Sequence, residues 1–441
     1  MDFRKNINMK TLLIIGYVWP EPNSSAAGSR IMELIQLFHS NHWRIVFASA
    51  AALSEHRADL ASFDVREQSI AINDSGFDDF IAELKPDAVI YDRFFTEEQF
   101  GWRVDRVCPY ALRILDTIDL HSLRHVRQQL LKQAQQATST ETERQSVDPI
   151  MADSAELYRC MTESDMAQRE IAAIYRCDLS LMISQYEMSL LSDYFKVPKS
   201  LLHYCPLLSV GIYGLSSLPV FADRQHFISI GNFRHEPNWD AVLYLKHGIW
   251  PLIRARLPQA ECHVYGSYPT PKATQLHNAK QGFLIKGWAE DAQQVMQNAR
   301  VCLGPLRFGA GIKGKLMDAM RTGTPSVTTD IGAEAMNGGL PWGGFIDNNA
   351  EAIADAAVQL YVNEDIWRQA QQQGFVILDQ FFAREDYANL LIERVGQLQE
   401  KLHQERQQNF VGILFRHHLL KSTHYMSKWI EEKNKNKDSA G

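Results

Sequence analysis

The sequence predicts an α/β protein made of two doubly wound domains, each a parallel sheet with helices on both faces. Two observations indicate this fold. Short apolar runs, typical of strands buried on both faces, alternate with amphipathic segments of helical period. This alternation occurs twice along the 441 residues, and the glycine- and serine-containing stretch 207–223 lies between the two series. A chain of this length is expected to form two or three domains.

The first series occupies residues 1–206 and predicts an N-terminal domain. Its opening strand leads into a loop that ends at Gly28, and the helix that follows has apolar residues at positions 31, 34, 35 and 38. This strand–loop–helix–strand order is that of a βαβ unit. Helices are predicted for 121–176, interrupted by a polar loop around 138–148. Strands are predicted at 12–15, 44–48, 87–91, 112–115, 179–183 and 201–204.

The second series occupies residues 207–384 and predicts a C-terminal domain. Helices are expected at 238–255 and 289–298. A long polar helix at 384–408 and a frayed polar end are expected in the remaining segment, 385–441. Strands are predicted at 227–230, 262–265, 283–286, 301–304 and 326–329.

Composition excludes several classes of protein. The chain has 45 Lys and Arg against 52 Asp and Glu, a net charge of -7. Its surface as a whole is therefore not basic, and a nucleic acid is not expected as its partner. Its six cysteines form no CxxC pair, which is typical of reduced thiols in a cytoplasmic protein. No apolar run reaches the ~18–20 residues of a membrane span. The apolar run near the N-terminus is cut by Gly16 and Pro20, unlike a signal peptide.

The most informative segment is 301–334, where a predicted strand leads into a glycine-rich loop and then a helix. The loop places Gly309 and Gly311 at the helix N-terminus, where backbone N–H groups and the helix dipole favour a phosphate. Lys313 and Lys315 add positive charge in the first turns. Asp318, about one turn further on, can accept hydrogen bonds from sugar hydroxyls. The pattern predicts a site for a diphosphate attached to a ribose.

The same segment allows two other interpretations. Residues 309–314 match G-x-G-x-x-G, and Asp330 follows at a distance suited to an NAD-binding fingerprint. However, residues 305–308 separate Gly309 from the predicted strand, whereas the dinucleotide turn places its first glycine directly after the strand. Two lysines at the helix start are also unlike that fingerprint. A glycine-rich loop that binds nothing is the remaining interpretation.

The segments 309–320 (GAGIKGKLMDAM) and 323–327 (GTPSV) resemble the donor-binding region of GT-B glycosyltransferases of family 4, the group 1 type. Residues 231–242 and 287–291 resemble further loops of that family's C-terminal domain. The resemblance implies two Rossmann-like domains that face each other across a cleft, with a C-terminal helix. It implies transfer of a hexosyl group from a nucleotide-diphosphate sugar to an acceptor hydroxyl, with retention of configuration, in glycan or polysaccharide synthesis of the bacterial type.

The resemblance also implies roles for individual residues. Lys315 is expected to act in catalysis as well as in binding, because negative charge grows on the leaving phosphate. The expected catalytic residues are Asp119, His121 and Lys315. The expected donor-binding residues are Arg234, Gly309, Ala310, Gly311, Lys313, Lys315 and Asp318.

In the first domain, Asp119 and His121 follow a predicted strand and are expected to face the cleft, where they suit contacts to donor or acceptor hydroxyls. The simpler interpretation is that Asp116 caps the next helix and His121 is an ordinary polar residue. Ser25 and Gly28 can let the backbone approach the diphosphate or the acceptor. Alternatively, they form a helix cap and a turn.

The chain departs from the family pattern at one position. Most members carry two glutamates eight positions apart, and here these positions hold Ala310 and Asp318. Asp318 is expected to hold the ribose, whereas the contact to the donor hexose lacks a side chain. The departure leaves open a non-catalytic module that binds nucleotide sugars. A nucleotide-sugar epimerase on the same fold is a further alternative.

No metal and no cofactor are expected besides the donor substrate. Loop amides and basic side chains can neutralise the diphosphate, and the sequence contains no D-x-D, the metal-diphosphate motif of the other glycosyltransferase fold. The expected partners are a nucleotide sugar and a glycan or lipid-linked acceptor. The protein is expected in the cytoplasm, with peripheral contact to the inner membrane face as one interpretation of its tail.

That tail combines the apolar run 410–415 with Arg416, Lys421 and Trp429. One interpretation is that it rests on an anionic membrane. The other, which we favour, is that it packs back on the N-terminal domain.

Overall fold

The structure, a computed structural model, describes residues 9–208, 218–382 and 384–438. Within these residues the strands form two parallel sheets, one after the other along the chain. The strands of the first sheet are β1 (Thr11–Gly16), β2 (Arg44–Ser49), β3 (Val65–Ser69), β4 (Ala88–Asp92), β5 (Leu112–Asp116), β6 (Leu179–Met182) and β7 (Leu202–Tyr204). Those of the second are β8 (Gln225–Ile230), β9 (Cys262–Tyr265), β10 (Phe283–Gly287), β11 (Ala299–Gly304), β12 (Ser326–Thr328) and β13 (Gly344–Ile346).

Helices connect the strands and cover both sheets. The helices that accompany the first sheet are α1 (Ala26–Ser40), α2 (Gly76–Leu84), α3 (Phe94–Val107), α4 (His121–Gln136), α5 (Glu141–Ser146), α6 (Ser154–Thr162), α7 (Asp165–Arg176) and α8 (Gln185–Ser189). The next are α9 (Glu236–Tyr244), α10 (Trp250–Arg256), α11 (Pro271–Thr274), α12 (Ala292–Asn298), α13 (Gly314–Arg321), α14 (Asp330–Ala333), α15 (Ala350–Val362) and α16 (Glu364–Phe381). The last are α17 (Arg384–Glu400), α18 (Leu402–Gln408) and α19 (Phe410–Asp438).

Each sheet has one point where the direction of strand addition reverses. The first has the order β3-β2-β1-β4-β5-β6-β7 and the second the order β10-β9-β8-β11-β12-β13. The reversals therefore lie between β1 and β4 and between β8 and β11. Ligands of open α/β sheets bind outside the carboxyl ends of the strands at such points. The glycine-rich loop after β11 lies at one of these positions.

The first sheet is covered on both faces, so β1 is buried along its whole length. On one face Leu13 and Ile15 pack in the cluster that contains residues of α2, α3 and α4. On the other, Leu12 and Ile14 pack with residues of α1 and of α17. The chain thus returns from the second sheet to the first through α17, which confirms the predicted C-terminal helix.

A separate apolar cluster joins the first half of the protein, which contains the first sheet, to the second half, which contains the second sheet. Ile183 from the first half and Leu207 at the junction pack with Ile312, Leu316 and Met317 from the second half. Leu316 and Met317 are almost fully buried, as the helical pattern predicts. Because this cluster includes the start of α13, it fixes the glycine-rich loop against the first half.

The predicted polar loop around 138–148 contains the short helix α5 and binds the second half. Arg307, in the loop after β11, is buried and forms an ion pair with Asp240 at 2.6 Å. The same guanidinium donates to the carbonyl oxygens of Gln145 at 3.1 Å and Val147 at 3.0 Å. This segment of the first half therefore lies beside the second sheet's helices.

The prediction omits the strands β3 and β13 and several helices, among them α2, α3, α15 and α16. Both strands are edge strands, and β3 (VREQS) has mostly polar, partly exposed residues, so neither gives the apolar run of a central strand. The predicted single helix at 384–408 is wrong, because it breaks at Lys401 between α17 and α18. Of the predicted linker, residues 209–217 lie outside the described residues.

The prediction of a frayed end is wrong for the described part of the tail, since α19 continues to Asp438. This helix packs on α3 and α7 of the first half, which confirms the favoured interpretation of the tail. No helix in the described ranges is both long and apolar enough to span a bilayer. The described residues also contain no group of three or more His, Cys, Asp or Glu arranged to hold a metal ion.

Candidate active site

The glycine-rich loop of the second half lies against the loop that follows β5. Gly311 has a φ of +63°, and a Cβ atom there would lie 2.9 Å from Asp119 Cβ and 3.0 Å from the carbonyl oxygen of Ile118. A side chain at this position would strain the backbone and clash with the first half. Gly311 and Asp119, both predicted as site residues, are therefore direct neighbours.

Two lysines lie at the start of α13. Lys313, the N-cap residue, is buried and donates to the Gly311 carbonyl oxygen at 2.8 Å. Lys315 donates to Oδ1 of Asn238 in α9 at 2.7 Å. Burial lowers the pKa of Lys315 to about 8 and also lowers the pKa of Lys313. Within the described part of the chain, both ammonium groups have neutral oxygens as hydrogen-bond partners, so the site presents positive charge to an anion.

Asp119 is held in its ionised form. Burial raises the pKa of this carboxyl. The Arg124 guanidinium in contact with Oδ2 and the nearby His121 lower it by more, so the net pKa is well below its ordinary value. Its Oδ1 lies 3.3 Å from Nδ1 of His121. The His121 ring in turn packs edge-on against Phe95. The predicted pair Asp119 and His121 is therefore accompanied by a third residue, Arg124, which binds Asp119 and was not predicted.

Glu187, in α8, is fully buried where the two halves meet. Its Oε1 accepts hydrogen bonds from the Gly311 N–H at 2.7 Å and from the Leu120 N–H at 3.2 Å. Among the described residues its Oε2 has no hydrogen-bond partner. Burial and the neighbouring Asp119 raise the pKa of Glu187 to about 8. The Gly311 amide, one of the predicted phosphate donors, thus binds Glu187 in this structure.

Arg127, in α4, holds the other end of the glycine-rich loop. It forms two hydrogen bonds with the carboxylate of Glu334, at 2.5 and 2.9 Å, and donates to the Gly309 carbonyl oxygen at 2.8 Å. Arg127 belongs to the first half, whereas Gly309 and Glu334 belong to the second. The two halves are therefore linked by charge as well as by packing around the predicted site.

Arg234 is exposed in the loop after β8. Its guanidinium carbon lies 3.9 Å from the ring centre of Tyr268, a cation–π geometry. The next residue, His235, has an exposed side. Burial of its ring by the surrounding protein and the charge of Arg124 lower its pKa to about 4. His235 is therefore neutral at pH 7 and can offer either a donor or an acceptor nitrogen to a ligand.

The two positions of the family's glutamates differ in their surroundings. Asp318 is half-exposed and forms an ion pair with Arg321, one turn later, at 3.3 Å. Ala310 is buried and packs in the core cluster of the first half. The Asp318 carboxylate is therefore open to solvent, whereas position 310 offers only its backbone.

Ser25 and Gly28 form the cap and turn of the simpler interpretation. The Ser25 hydroxyl accepts a hydrogen bond from the Gly28 N–H at 3.1 Å at the start of α1. A Cβ atom on Gly314 would lie 2.8 Å from Cβ of Ala26. The start of α1 therefore lies beside the start of α13, and both N-termini border the same space.

Asp116 does not cap α4, so that part of the simpler interpretation is wrong. It is fully buried, and its Oδ1 lies 3.5 Å from Nε of Arg30 in α1. The N-cap of α4 is Leu120, which has no side chain able to cap. The sequence indicates the end of the strand, but no pattern in it relates Asp116 to Arg30.

Several residues at the site were not predicted. They contact it from elements distant in sequence, so only the fold reveals them. The pattern Ser184-x-x-Glu187 indicates a helix-capping pair, and the Ser184 hydroxyl does accept from the Glu187 N–H, yet the glutamate side chain turns to Gly311 instead. The unpredicted residues are Arg124, Arg127, Glu187, His235, Asn238 and Glu334.

Residues 224–363 match the family of glycosyl transferases group 1. No curated protein sequence matches the chain. The crystal structure of HepE from Anabaena in complex with UDP and glucose superposes with a TM-score of 0.62 at 11% identity, covering 88% of this chain and 100% of that one. Sucrose-phosphate synthase from Thermosynechococcus elongatus superposes with a TM-score of 0.58 at 15% identity, covering 89% and 99%. WaaG, a glycosyltransferase involved in lipopolysaccharide biosynthesis, gives 0.55 at 10% identity, covering 86% and 99%.

These structural similarities establish the fold, and the family match at residues 224–363 includes β11, the glycine-rich loop and α13. The predicted GT-B architecture is confirmed by the two parallel sheets and by the superpositions. The chain therefore has the GT-B fold, and its residues 224–363 match the family of glycosyl transferases group 1.

Proposed function

We propose that the protein transfers a hexosyl group from a nucleoside-diphosphate sugar to an acceptor hydroxyl, with retention of configuration and without a metal ion. The observation that carries the proposal is the pair Lys313 and Lys315 at the N-terminus of α13. Both ammonium groups are bound to neutral oxygens, and the pKa of Lys315 is lowered by burial. A diphosphate bound there would place negative charge in direct contact with both ammonium groups, which form no ion pair with a carboxylate among the described residues.

In the reaction the bond between the anomeric carbon and the phosphate oxygen breaks, and the bond to the acceptor oxygen forms. Negative charge grows on the leaving phosphate, next to Lys313 and Lys315. The sugar becomes oxocarbenium-like and positively charged. Asp119, kept ionised by Arg124, is suited to stabilise this positive charge but is a weak base. The acceptor proton therefore passes to the departing phosphate.

Arg234, Asp318 and the start of α1 complete the proposed site. Arg234 borders the cleft from the loop after β8, and Asp318 offers a half-exposed carboxylate to ribose hydroxyls. Ser25 and Gly28 bring the N-terminus of α1 beside that of α13. A glycan or lipid-linked acceptor would enter between the two halves, as expected for an enzyme of glycan synthesis.

A panel of nucleotide sugars, each added with and without candidate acceptors, tests the proposal. Any true donor should raise the melting temperature, because it binds only the folded chain. Release of nucleoside diphosphate should then require the acceptor and should persist in EDTA. Complete and reversible loss of release in EDTA would disprove the metal-free mechanism. NMR of the product decides between retention and inversion.

A non-catalytic module that binds nucleotide sugars is the second candidate, because Ala310 is buried and provides no side chain for the donor hexose. This candidate predicts the same rise in melting temperature but no acceptor-dependent release. The NAD-binding alternative is less suited to the geometry, since β11 ends at Gly304 and Gly309 lies beyond an intervening loop.

A further inference from the structure

The last helix, α19, meets the protein through small and polar residues as well as apolar ones, and it leaves several large apolar residues exposed. Gly412, Ser427 and Glu431 are buried, and they recur at helical spacing along one side. On a surface helix of a globular protein, the buried side is normally the apolar one. Because much of the inner side of α19 is small or polar, several of its large apolar residues remain on the outer side.

Specific contacts fix this orientation. Arg103 of α3 donates to the Ser427 hydroxyl at 2.9 Å and to the Glu431 carboxylate at 2.7 Å. Near the start of the helix, a Cβ atom on Gly412 would lie 2.2 Å from the carbonyl oxygen of Tyr175, so the backbone approaches α7 closely. Because both ends of the helix are held in this way, it cannot rotate its apolar side inward without breaking the buried Arg103 contacts.

The outer side carries large apolar residues that solvent reaches. Tyr425 is 71% exposed and Trp429 63%. Val411 and Leu414 lie on the same side, since positions 411, 414, 425 and 429 recur at intervals of three, eleven and four. Phe410 and Met426 flank this line and are equally exposed. We call the surface formed by these six residues the α19 stripe.

The segment that carries the stripe is basic, whereas the rest of the chain is acidic. Residues 410–441 contain six Lys and Arg and three Asp and Glu, a net charge of +3. The remaining residues contain 45 minus 6, or 39, basic and 52 minus 3, or 49, acidic side chains, a net charge of -10. The partner of the stripe is therefore expected to be negatively charged and apolar at the same time.

We propose that the α19 stripe lies on the surface of an anionic lipid bilayer, parallel to its plane. Tyr425 and Trp429 are of the types that favour the membrane–water interface. Lys428 and Lys433 border the stripe, and Lys433 lies 5.0 Å from the ring centre of Trp429, so its stem can follow the apolar surface while its ammonium reaches headgroups.

A second copy of the chain is a poorer occupant, because two basic helices would face each other across the contact. The inference rests on the proposed function in one respect: a lipid-linked acceptor would explain why this enzyme binds a membrane. The binding itself can be measured without any sugar donor.

Sedimentation with vesicles tests the inference on the full chain. The vesicles are phosphatidylcholine alone and phosphatidylcholine with about one third phosphatidylglycerol. We expect binding to the anionic vesicles, weakened by salt, and a blue shift of tryptophan fluorescence. The double variant Leu414→Glu/Trp429→Glu should bind at least about tenfold more weakly. The matched control is Val362→Glu/Leu390→Glu, which adds the same charge at exposed apolar positions of α15 and α17 and should bind like the wild type.

Equal binding by both double variants, or no binding of the wild-type chain to anionic vesicles, would overturn the inference. A concentration-dependent dimer in solution that Leu414→Glu/Trp429→Glu abolishes would assign the stripe to a second copy instead. Acceptor-dependent release of nucleoside diphosphate from a soluble acceptor should be equal in the wild type and in both double variants. Failure of the membrane inference therefore leaves the proposed function untouched, and the reverse also holds.

Discussion

Lys315 is the residue on which the proposed chemistry depends most. Its ammonium is bound to Asn238, a neutral partner, and is therefore free to neutralise the charge that grows on the leaving phosphate. Lys315→Ala should lower kcat as well as donor affinity, with a loss of about 2–4 kcal/mol in transition-state stabilisation. Lys246 is a matched control, because it also donates to a side-chain amide oxygen, that of Gln281, at 2.6 Å. Lys246→Ala should keep kcat, and wild-type kinetics in Lys315→Ala would remove α13 from the site.

Asp318 should affect binding rather than the chemical step. The ribose hardly changes during the reaction, so Asp318→Asn should raise the KM for the donor and leave kcat nearly unchanged. Asp318→Glu should retain activity. Asp355→Asn is the control, since Asp355 is also a half-exposed carboxylate paired with an arginine, in α15. A fall in kcat with unchanged KM in Asp318→Asn would contradict the ribose role.

Glu187 should give the stability of the protein a distinctive pH dependence. Its pKa is raised by burial from about 4.5 in the unfolded chain to about 8, so the folded state binds more protons between these values. Its contribution to stability is therefore greatest below about pH 4.5 and is lost as the pH rises towards 8. Glu187→Gln keeps an oxygen for the Gly311 and Leu120 amides but removes this titration. Between about pH 5 and pH 8 the wild type should lose roughly 1–3 kcal/mol more unfolding free energy than the variant.

Denaturant unfolding at several pH values measures this difference. Parallel stability profiles for the wild type and Glu187→Gln would show that Glu187 is already ionised in the folded protein. The donor KM measured above about pH 8 provides a second readout, because Glu187 is ionised there in the wild type and Glu187→Gln removes its charge next to Asp119 without removing either hydrogen bond.

At the scale of elements, the helix after the glycine-rich loop was predicted from the sequence, but the contacts of the loop were not. The periodicity of Leu316 and Met317 predicted α13 and its buried side, because local patterns decide which face of a helix is apolar. The same pattern did not predict that Gly311 lies against Asp119, because that contact depends on how two sheets are placed. The Gly311 amide was expected to bind phosphate, yet it binds Glu187 from a third element.

The Gly311 contact can be tested with a pair of alanine variants. Gly311 and Gly339 both have positive φ, +63° and +87°, so alanine strains the backbone at either, by about 1–2 kcal/mol. Only at Gly311 would the new Cβ meet the first half, 2.9 Å from Asp119 Cβ, whereas nothing lies within 4 Å at Gly339. Gly311→Ala should therefore lose more stability and most of its activity. Gly339→Ala should lose only the stability that the strained backbone costs. Equal losses in urea unfolding and in turnover would refute the contact.

At the scale of the whole molecule, the central strands and the return of the chain to the first sheet could be predicted, but two of the four edge strands could not. Central strands such as β1 are buried on both faces and give continuous apolar runs. The edge strands β3 and β13 are partly exposed and short, so their sequences resemble loops. The ion pairs between the halves were also missed, because Arg127 and Glu334 carry no sequence pattern that relates one to the other.

That ion pair leads to a prediction about the whole molecule. Arg127 binds Glu334 and the Gly309 carbonyl across the two halves, with both charged side chains largely buried. Arg127→Met should leave Glu334 uncompensated and weaken the contact between the two halves, so the donor KM should rise and the radius of gyration from small-angle scattering should increase. Arg169→Met is the control, because Arg169 binds Glu98 at 2.6 Å entirely within the first half.

A double-mutant cycle with Glu334→Gln separates the pair from its surroundings. The coupling energy between the two positions should be roughly 1–3 kcal/mol, since both side chains contact each other directly. In the double variant Arg127→Met/Glu334→Gln no buried charge is left unpaired, so it should be more stable than Arg127→Met while remaining as open. Wild-type scattering and donor KM in Arg127→Met would show that apolar packing around Ile183 and Ile312 alone holds the two halves together.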